Sequence, residues 1–495
     1  MTANTKFFRN NNRSILFITS ILALFALSCS SSQLTVDRSI PPVLGPPPSF
    51  SIPSIEHLEL SNGLPVILLK KHNVPIVQIN LIVNSGSIMD PVGKEGLASI
   101  TASLMDEGAG DYDALALADA IDFLGANISI NTGLHTTVVS LNATLSKLDD
   151  ALELYSDIIL RPTFPEEELK RKRKERLTSL LQRHDEARQI ASILFNRNLF
   201  GAEHPYGRET FGTESSLNSF TREDLLAYYT TQFKPNNSSL IVVGDVEEST
   251  ILPKLESIFS SWEAGEVNTV KVPEPVQVEG RKVYVVDKPG AAQSVIRIGR
   301  VGVDRHSEDY YPIVVMNTIL GGSFASRLNQ NLREEHGYTY GARSFFNFRH
   351  VAGAFGATAD VQTEVTKESL TEFFIELNGI VDFVSTEELT RAKNYVALRF
   401  PGRFQTVRSI AGQLADIQVY DLPDDYYDSY VEHVLSVTME DVRRVAHKYI
   451  VPENVLVIVV GDSEKILDGV RELGLGDIVE LTIEDVLGKL SVGEK

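Results

Sequence analysis

Two stretches decide the fold. Thr221-Arg222-Glu223-Asp224-Leu225 leads through Phe233-Lys234-Pro235-Asn236-Asn237 to Leu240-Ile241-Val242-Val243-Gly244-Asp245. Thr438-Met439-Glu440-Asp441-Val442 leads through Ile450-Val451-Pro452-Glu453-Asn454 to Val457-Ile458-Val459-Val460-Gly461-Asp462. In both, the threonine precedes the glycine by 23 residues, and the copies lie 217 residues apart. Each copy reads as a threonine N-cap with an acidic first turn, a helix ending before proline, and a buried β-branched strand that stops at Gly-Asp. Such a repeat is the signature of a duplicated unit.

A second matched pair, Glu167-Glu168-Leu169 and Glu387-Glu388-Leu389, lies 220 residues apart and opens another helix in each copy. Two equivalent α+β domains follow, 56–262 and 281–485, joined by a Gly- and Pro-bearing linker at 263–280 and followed by a tail at 486–495. In the first copy, Leu64–Leu69 and Val77–Val83 are expected to pair as strands across the polar turn Lys70–Asn73. Gly96–Met105 is expected to be a helix with Leu97, Ile100 and Leu104 on one side.

Composition sets the class. The chain has 495 residues, 43% hydrophobic and 23% charged, enough for two cores. A net charge of -20 disfavours nucleic acid, which needs a basic surface. Lys6, Arg9 and Arg13 precede the apolar run Ile15–Leu27, which is too short for a transmembrane span of about 20 residues and predicts a signal peptide at 1–28. Ala26-Leu27-Ser28-Cys29 resembles a bacterial lipobox, although Ala26 stands where leucine is usual. It implies lipidation of Cys29, a tether at 29–55 rich in serine and proline, and a lipoprotein facing the periplasm, or a secreted protein if Cys29 is unmodified. Cys29 is the only cysteine, so neither a disulfide within the chain nor a zinc-cysteine cluster can form.

The order strand, strand, Asn84-Ser85-Gly86-Ser87, then Gly96-Leu97-Ala98 opening a helix is similar to the N-terminal region of the insulinase and pitrilysin-type zinc peptidases. In that family the helix carries H-x-x-E-H, two histidines on one face for zinc and a glutamate acting on the bound water. Here Ser99 and Ser103 replace the histidines and Ala102 replaces the glutamate. The third ligand of the family comes from the helix after Phe164-Pro165-Glu166-Glu167-Glu168-Leu169; the matching turn is near Thr178-Ser179 and holds no acid. No two of the ten histidines are three, four or five residues apart, so no helical histidine pair replaces the lost one. The run Glu166–Arg176 passes from acidic to basic and reads as a solvated helix aligned with its own dipole, and Trp262 as a packing residue.

The second copy carries Gly321-Gly322-Ser323-Phe324-Ala325-Ser326-Arg327-Leu328-Asn329-Gln330, running into Asn331-Leu332-Arg333-Glu334-Glu335-His336-Gly337-Tyr338-Thr339-Tyr340. It resembles the family's C-terminal signature, whose arginine and tyrosine bind the substrate backbone. Arg333 and Tyr340 match those positions. The resemblance implies two homologous insulinase-type domains, each a mostly antiparallel sheet flanked by helices, related by a pseudo-two-fold axis. It also implies a chain that binds no cofactor, is inactive alone, and pairs with a zinc-bearing homologous subunit to degrade small or unfolded peptides. Two other functions fit the residues: a structural scaffold, and a peptide-binding lipoprotein that adds a strand at the edge Ala126–Asn131.

Overall fold

The computed structural model describes residues 51–489. The expected signal peptide, Cys29, most of the expected tether and the end of the tail lie outside the described residues. Two six-stranded sheets organise the rest. The first holds β1 (Ile55–Glu59), β2 (Pro65–Lys70), β3 (Ile76–Val83), β4 (Asn127–Thr132), β5 (Thr137–Thr144) and β6 (Ser238–Gly244), in the order β1-β2-β6-β3-β5-β4. The second holds β7 (Lys282–Asp287), β8 (Gln293–Val301), β9 (Thr339–Phe346), β10 (Ala354–Gln362), β11 (Leu456–Gly461) and β12 (Ile478–Leu481), in the order β9-β10-β8-β11-β7-β12.

Five strands repeat: β2-β6-β3-β5-β4 has the same order as β7-β11-β8-β10-β9. In both sets the first pair is parallel and the next is antiparallel. Only the sixth strand differs, since β1 joins antiparallel from the N-terminal side while β12 joins parallel from the C-terminal side.

The expected pairing of β2 with β3 is corrected here. The repeat strand β6 lies between them, parallel to β2 and antiparallel to β3. All seven of its residues are buried, and a strand apolar on both faces is satisfied only in the interior of a sheet. The turn after Lys70 therefore bridges two strand spacings.

Among the helices are α1 (Leu97–Ala102), α2 (Leu148–Leu160), α3 (Glu166–Arg183), α4 (Ala187–Phe200), α5 (Arg222–Gln232), α6 (Thr366–Asp382), α7 (Thr386–Arg399), α8 (Val407–Val419) and α9 (Met439–Tyr449). The repeated threonines cap α5 and α9 as the sequence predicts: Thr221 and Thr438 each form a reciprocal capping box with an aspartate three residues on, Asp224 and Asp441. Trp262 packs in the first core and donates its indole N–H to Phe233 O at 3.2 Å.

Each sheet packs its own helices on one face and borrows a helix for the other. Ile79, Leu81, Val139 and Leu141 meet Ile100 of α1 and Leu152 and Tyr155 of α2. The opposite face, through Ile67, Ile82 and Ile241, meets Ile410, Leu414 and Ile417 of α8, a helix of the second half. Reciprocally, Ile190, Leu194 and Phe195 of α4 cover Val295, Ile458 and Val460 of the second sheet. A pseudo-two-fold relation between the halves produces this exchange. Burying one such side chain contributes about 1.5–3 kcal/mol, so pulling the halves apart would strip apolar cover from both sheets. A cut at 263–280 separates the strands of the two sheets but divides both exchanged layers.

The β4–β5 and β9–β10 turns also meet. His135 of the first faces His350 of the second with ring centroids 4.5 Å apart, and its Nε2 pairs with Tyr206 Oη at 2.7 Å. Burial, His350 and Arg349 push His135 down to about 3; burial and then His306 also lower His350. A histidine held neutral in the fold but protonated when unfolded costs no stability above about pH 6.5 and increasingly destabilises as pH falls towards 3, by about 1.4 kcal/mol per pH unit. Between pH 7 and pH 5 the wild-type chain should therefore lose about 2 kcal/mol more than His135→Gln, read from urea unfolding midpoints. Parallel pH profiles of the two proteins would refute this.

Candidate functional site

Helix α1 is short and tightly placed. Gly96 opens it at φ 90°, and a Cβ there would stand 2.6 Å from Gly212 N, so both the backbone and the close approach select glycine. The buried Asp90 carboxylate accepts from Gly96 N at 2.8 Å and Ala98 N at 2.7 Å. Burial raises Asp90 to about 7, against the opposing pull of those two bonds and of Arg208. These contacts fix α1 against residues 210–213 and set Ser99 and Ser103 one turn apart on the same side. Ala102 is buried.

The side chain that reaches the two serines comes from α3 and is Arg176, just ahead of the Thr178-Ser179 turn. Its Nη2 donates to Ser99 Oγ at 3.0 Å and Ser103 Oγ at 3.2 Å, and its Nη1 donates to Phe211 O at 3.0 Å. The guanidinium also lies 4.9 Å from the Phe211 ring centroid, which holds its plane. Arg176 is only 8% exposed. Burial and the nearby Arg183 lower its pKa to about 10, while Asp90 raises it, so it remains a cation at neutral pH. Among the described residues it forms no ion pair with a carboxylate.

The residues present do not fit zinc. The two histidine positions hold hydroxyls that already accept from a fixed positive charge, and the position of the general base is a methyl group. Among the described residues no group of three or more His, Cys, Asp and Glu side chains could hold a metal ion. The reading of Glu166–Arg176 as a solvated helix is corrected at two positions. Arg173 turns inward to Leu217 O at 2.9 Å and Phe220 O at 2.5 Å, and Arg176 turns to the serines. The acidic-to-basic gradient is real, but the carbonyls of 211–220 leave acceptors that only long donors reach.

The second signature builds a different surface. Gln330–Glu335 is a π-helical turn, a wide winding often found at functional sites. Asn331 anchors it, its amide donating to Glu372 at 2.9 Å and Glu376 at 2.8 Å. Gly337, at φ 67°, ends the turn and sends the chain into β9. Tyr340 therefore lies on a strand, not on a continuation of the helix that carries Arg333. Arg333 packs its guanidinium 4.5 Å from the Phe324 ring centroid and pairs with Glu334 at 3.5 Å. Tyr340 is 92% exposed and makes no hydrogen bond among the described residues. Among the described residues no hydrogen bond or cation–π contact joins the two side chains. Asn127–Thr132 is an edge strand paired only with β5, as expected of the Ala126–Asn131 segment.

Comparison with known proteins agrees with this architecture. Residues 65–214 match the insulinase (peptidase family M16) model and residues 219–396 match the model of the peptidase M16 inactive domain. The chain is similar to an uncharacterized zinc protease of Rickettsia felis, 26% identical over 68% of this chain and 80% of the relative. It is also similar to a non-peptidase homolog of Helicobacter pylori, 21% identical over 79% of this chain and 90% of the relative. Among solved structures, a peptidase M16 inactive domain from Pseudomonas fluorescens aligns with TM-score 0.77 at 24% identity, covering 82% of this chain and 98% of that one. The chain belongs to the M16 (insulinase) peptidase family and is an M16-like member without the family's zinc-binding residues.

Arg176 is the residue that sequence reasoning missed. Its signal was present, in that a basic residue on α3 lies close to the expected third-ligand turn, but spacing alone does not say which side of a highly charged helix faces inward.

Proposed function

We propose that this chain is the metal-free subunit of a heteromeric M16 peptidase and lends Arg333 and Tyr340 to the active site of a zinc-bearing partner. One observation carries the reading. The chain's own metal position is occupied by the Arg176 guanidinium, while Tyr340 is displayed to solvent and Arg333, about one-third exposed, is engaged by the exposed Phe324 ring and Glu334.

Peptide hydrolysis places negative charge on the scissile carbonyl oxygen. A guanidinium supplies a permanent positive charge with several N–H donors, and a phenol supplies one O–H donor; both are suited to that oxygen or to holding the peptide backbone. Alone, the chain has no general base at Ala102 and should cleave nothing. The reading further holds that Cys29 is lipidated and tethers the subunit to a membrane outside the cytoplasm, so Cys29→Ser should move the protein from the membrane fraction to the soluble fraction.

Tagged full-length chain, captured from extracts of its native cell, tests the pairing. The eluate should contain an M16 chain with an intact H-x-x-E-H motif and cleave a fluorogenic peptide in a chelator-sensitive way. Capture of a partner without cleavage would sink the reading and leave a scaffold.

A further inference from the structure

Helix α4 crosses the second sheet over β8 and β11 and leaves β10 and β9 uncovered on that face. A cleft of about 460 Å³ opens there, walled by Arg188 and Ser192 of α4 and floored by the strands. The strand register sets its floor. Arg297 of β8 is opposite Thr358 of β10, and Thr358 is opposite Arg343 of β9. Directly opposed residues share a face, so two guanidiniums flank one small threonine, on strands about 10 Å apart.

Among the described residues these charges are only partly neutralised. Asp360 is the one carboxylate among the lining residues, and Arg188 is already bonded to it. Three arginines against one aspartate leave an excess of two positive charges, in a chain whose net charge is -20. Arg297 donates Nη1 to Ser192 Oγ at 2.7 Å and lies between the rings of Phe195 and Phe345, 5.3 and 5.6 Å from their centroids. Among the described residues neither Arg297 nor Arg343 makes an ion pair. Thr358 commits its hydroxyl to Ile296 O at 2.8 Å. Burial and then Arg343 lower the pKa of Arg297, a cost that a bound anion would relieve.

The matching row in the first sheet shows that this is not a requirement of the fold. There Asn80, Ser140 and Ser129 stand opposite one another across β3, β5 and β4. Those side chains are an amide and two hydroxyls, all uncharged, and Asn80 Oδ1 accepts from Gln78 Nε2 at 2.7 Å. Beside the charged row, a register shift between Thr339 and Ala342 lifts Tyr340 and Gly341 out of regular pairing at the rim of the cleft.

We propose that this cleft is a carboxylate-binding subsite for peptides. The carboxylate sits above Thr358 between the two guanidiniums, which match it with paired N–H donors, and the peptide chain leaves past Tyr340 along the free edge of β9. The inference rests on reading this chain as a peptide-handling subunit, and it adds which part of the peptide is recognised. Its test uses the full-length chain alone, so its failure is distinguishable from failure of the cleavage assay.

Fluorescence anisotropy would compare three dye-labelled hexapeptides: a neutral sequence with a free C-terminal acid, the same sequence amidated, and an amidated version with one internal glutamate. A carboxylate-bearing peptide should bind about tenfold tighter than the neutral amide, and Arg343→Gln should remove that preference. Binding of the free acid alone assigns the site to the peptide terminus; equal binding of the glutamate peptide assigns it to any peptide carboxylate. Arg297→Gln should act alike, but Arg343 is exposed and its variant keeps the fold, so the Arg343→Gln result decides. Equal affinity of acid and neutral amide, no binding at about 1 mM, or tighter binding of inorganic phosphate than of the free-acid peptide would overturn the proposal.

Discussion

Arg333→Ala is expected to lower the chelator-sensitive peptide cleavage of the proposed heteromeric complex by about 100- to 1,000-fold, the usual loss when one donor to a developing oxyanion is removed. The chain itself should barely notice. Arg333 is about one-third exposed, its contact with Glu334 is a surface ion pair worth about 0–1 kcal/mol, and its stacking on Phe324 is on an exposed ring. A thermal midpoint within a few degrees of wild type is therefore the expected companion result. If the guanidinium acts on the transition state, the loss falls on kcat; if it holds the peptide backbone equally before and during reaction, KM rises instead. Tyr340→Phe removes only the phenolic donor from a side chain that is not packed, so it offers the same test with less structural disturbance. Unchanged cleavage in both variants would leave this surface without a catalytic purpose and favour a scaffold.

What the sequence disclosed depended on whether a physical rule reads one residue at a time. The duplicated fold was legible because Thr221 and Thr438 cap helices and the strands ending at Gly244 and Gly461 carry the apolar runs Leu240–Val243 and Leu456–Val460, both local properties. Strand neighbours were less legible. Leu64–Leu69 and Val77–Val83 are close in sequence, but the buried strand from residue 238 onward competes for the place between them and wins, because only an interior position buries both of its faces. The exchange of α4 and α8 left no local mark, since an amphipathic helix does not specify which sheet will cover it. At the site, the loss of the zinc residues was plain at Ser99, Ala102 and Ser103. That Arg176 fills the space, and that Arg297 and Arg343 align across Thr358, needed the helix rotation and the strand register. The charge of Arg297 inside the apolar run Val295–Ile298 was a signal that sequence reasoning left unused.

Restoring the family motif alone should not restore a metal site. The triple variant Ser99→His, Ala102→Glu, Ser103→His places two imidazoles one helical turn apart, yet is expected to retain no stoichiometric zinc after dialysis, whereas adding Arg176→Glu should yield one zinc per chain by elemental analysis. The obstacle is electrostatic. Arg176 lies within hydrogen-bond distance of both serine hydroxyls, is held by Phe211 O and the Phe211 ring, and would face a divalent ion at about 4 Å. At an effective dielectric constant near 20, a repulsion on the order of 8 kcal/mol follows for charges of one and two. Structural zinc sites bind with about 10–16 kcal/mol, so such a repulsion removes half or more of the affinity and leaves binding too weak to survive dialysis. Replacing the guanidinium by a carboxylate removes that cost and supplies a third ligand of the right chemistry. Far-ultraviolet circular dichroism would first establish that both variants fold, because imidazoles are larger than the side chains they replace next to buried Ile100 and Thr101. Tight zinc in the triple variant with Arg176 intact would show that the guanidinium is no barrier; no zinc in the folded quadruple variant would show that α1 and α3 are not positioned as a metal site at all.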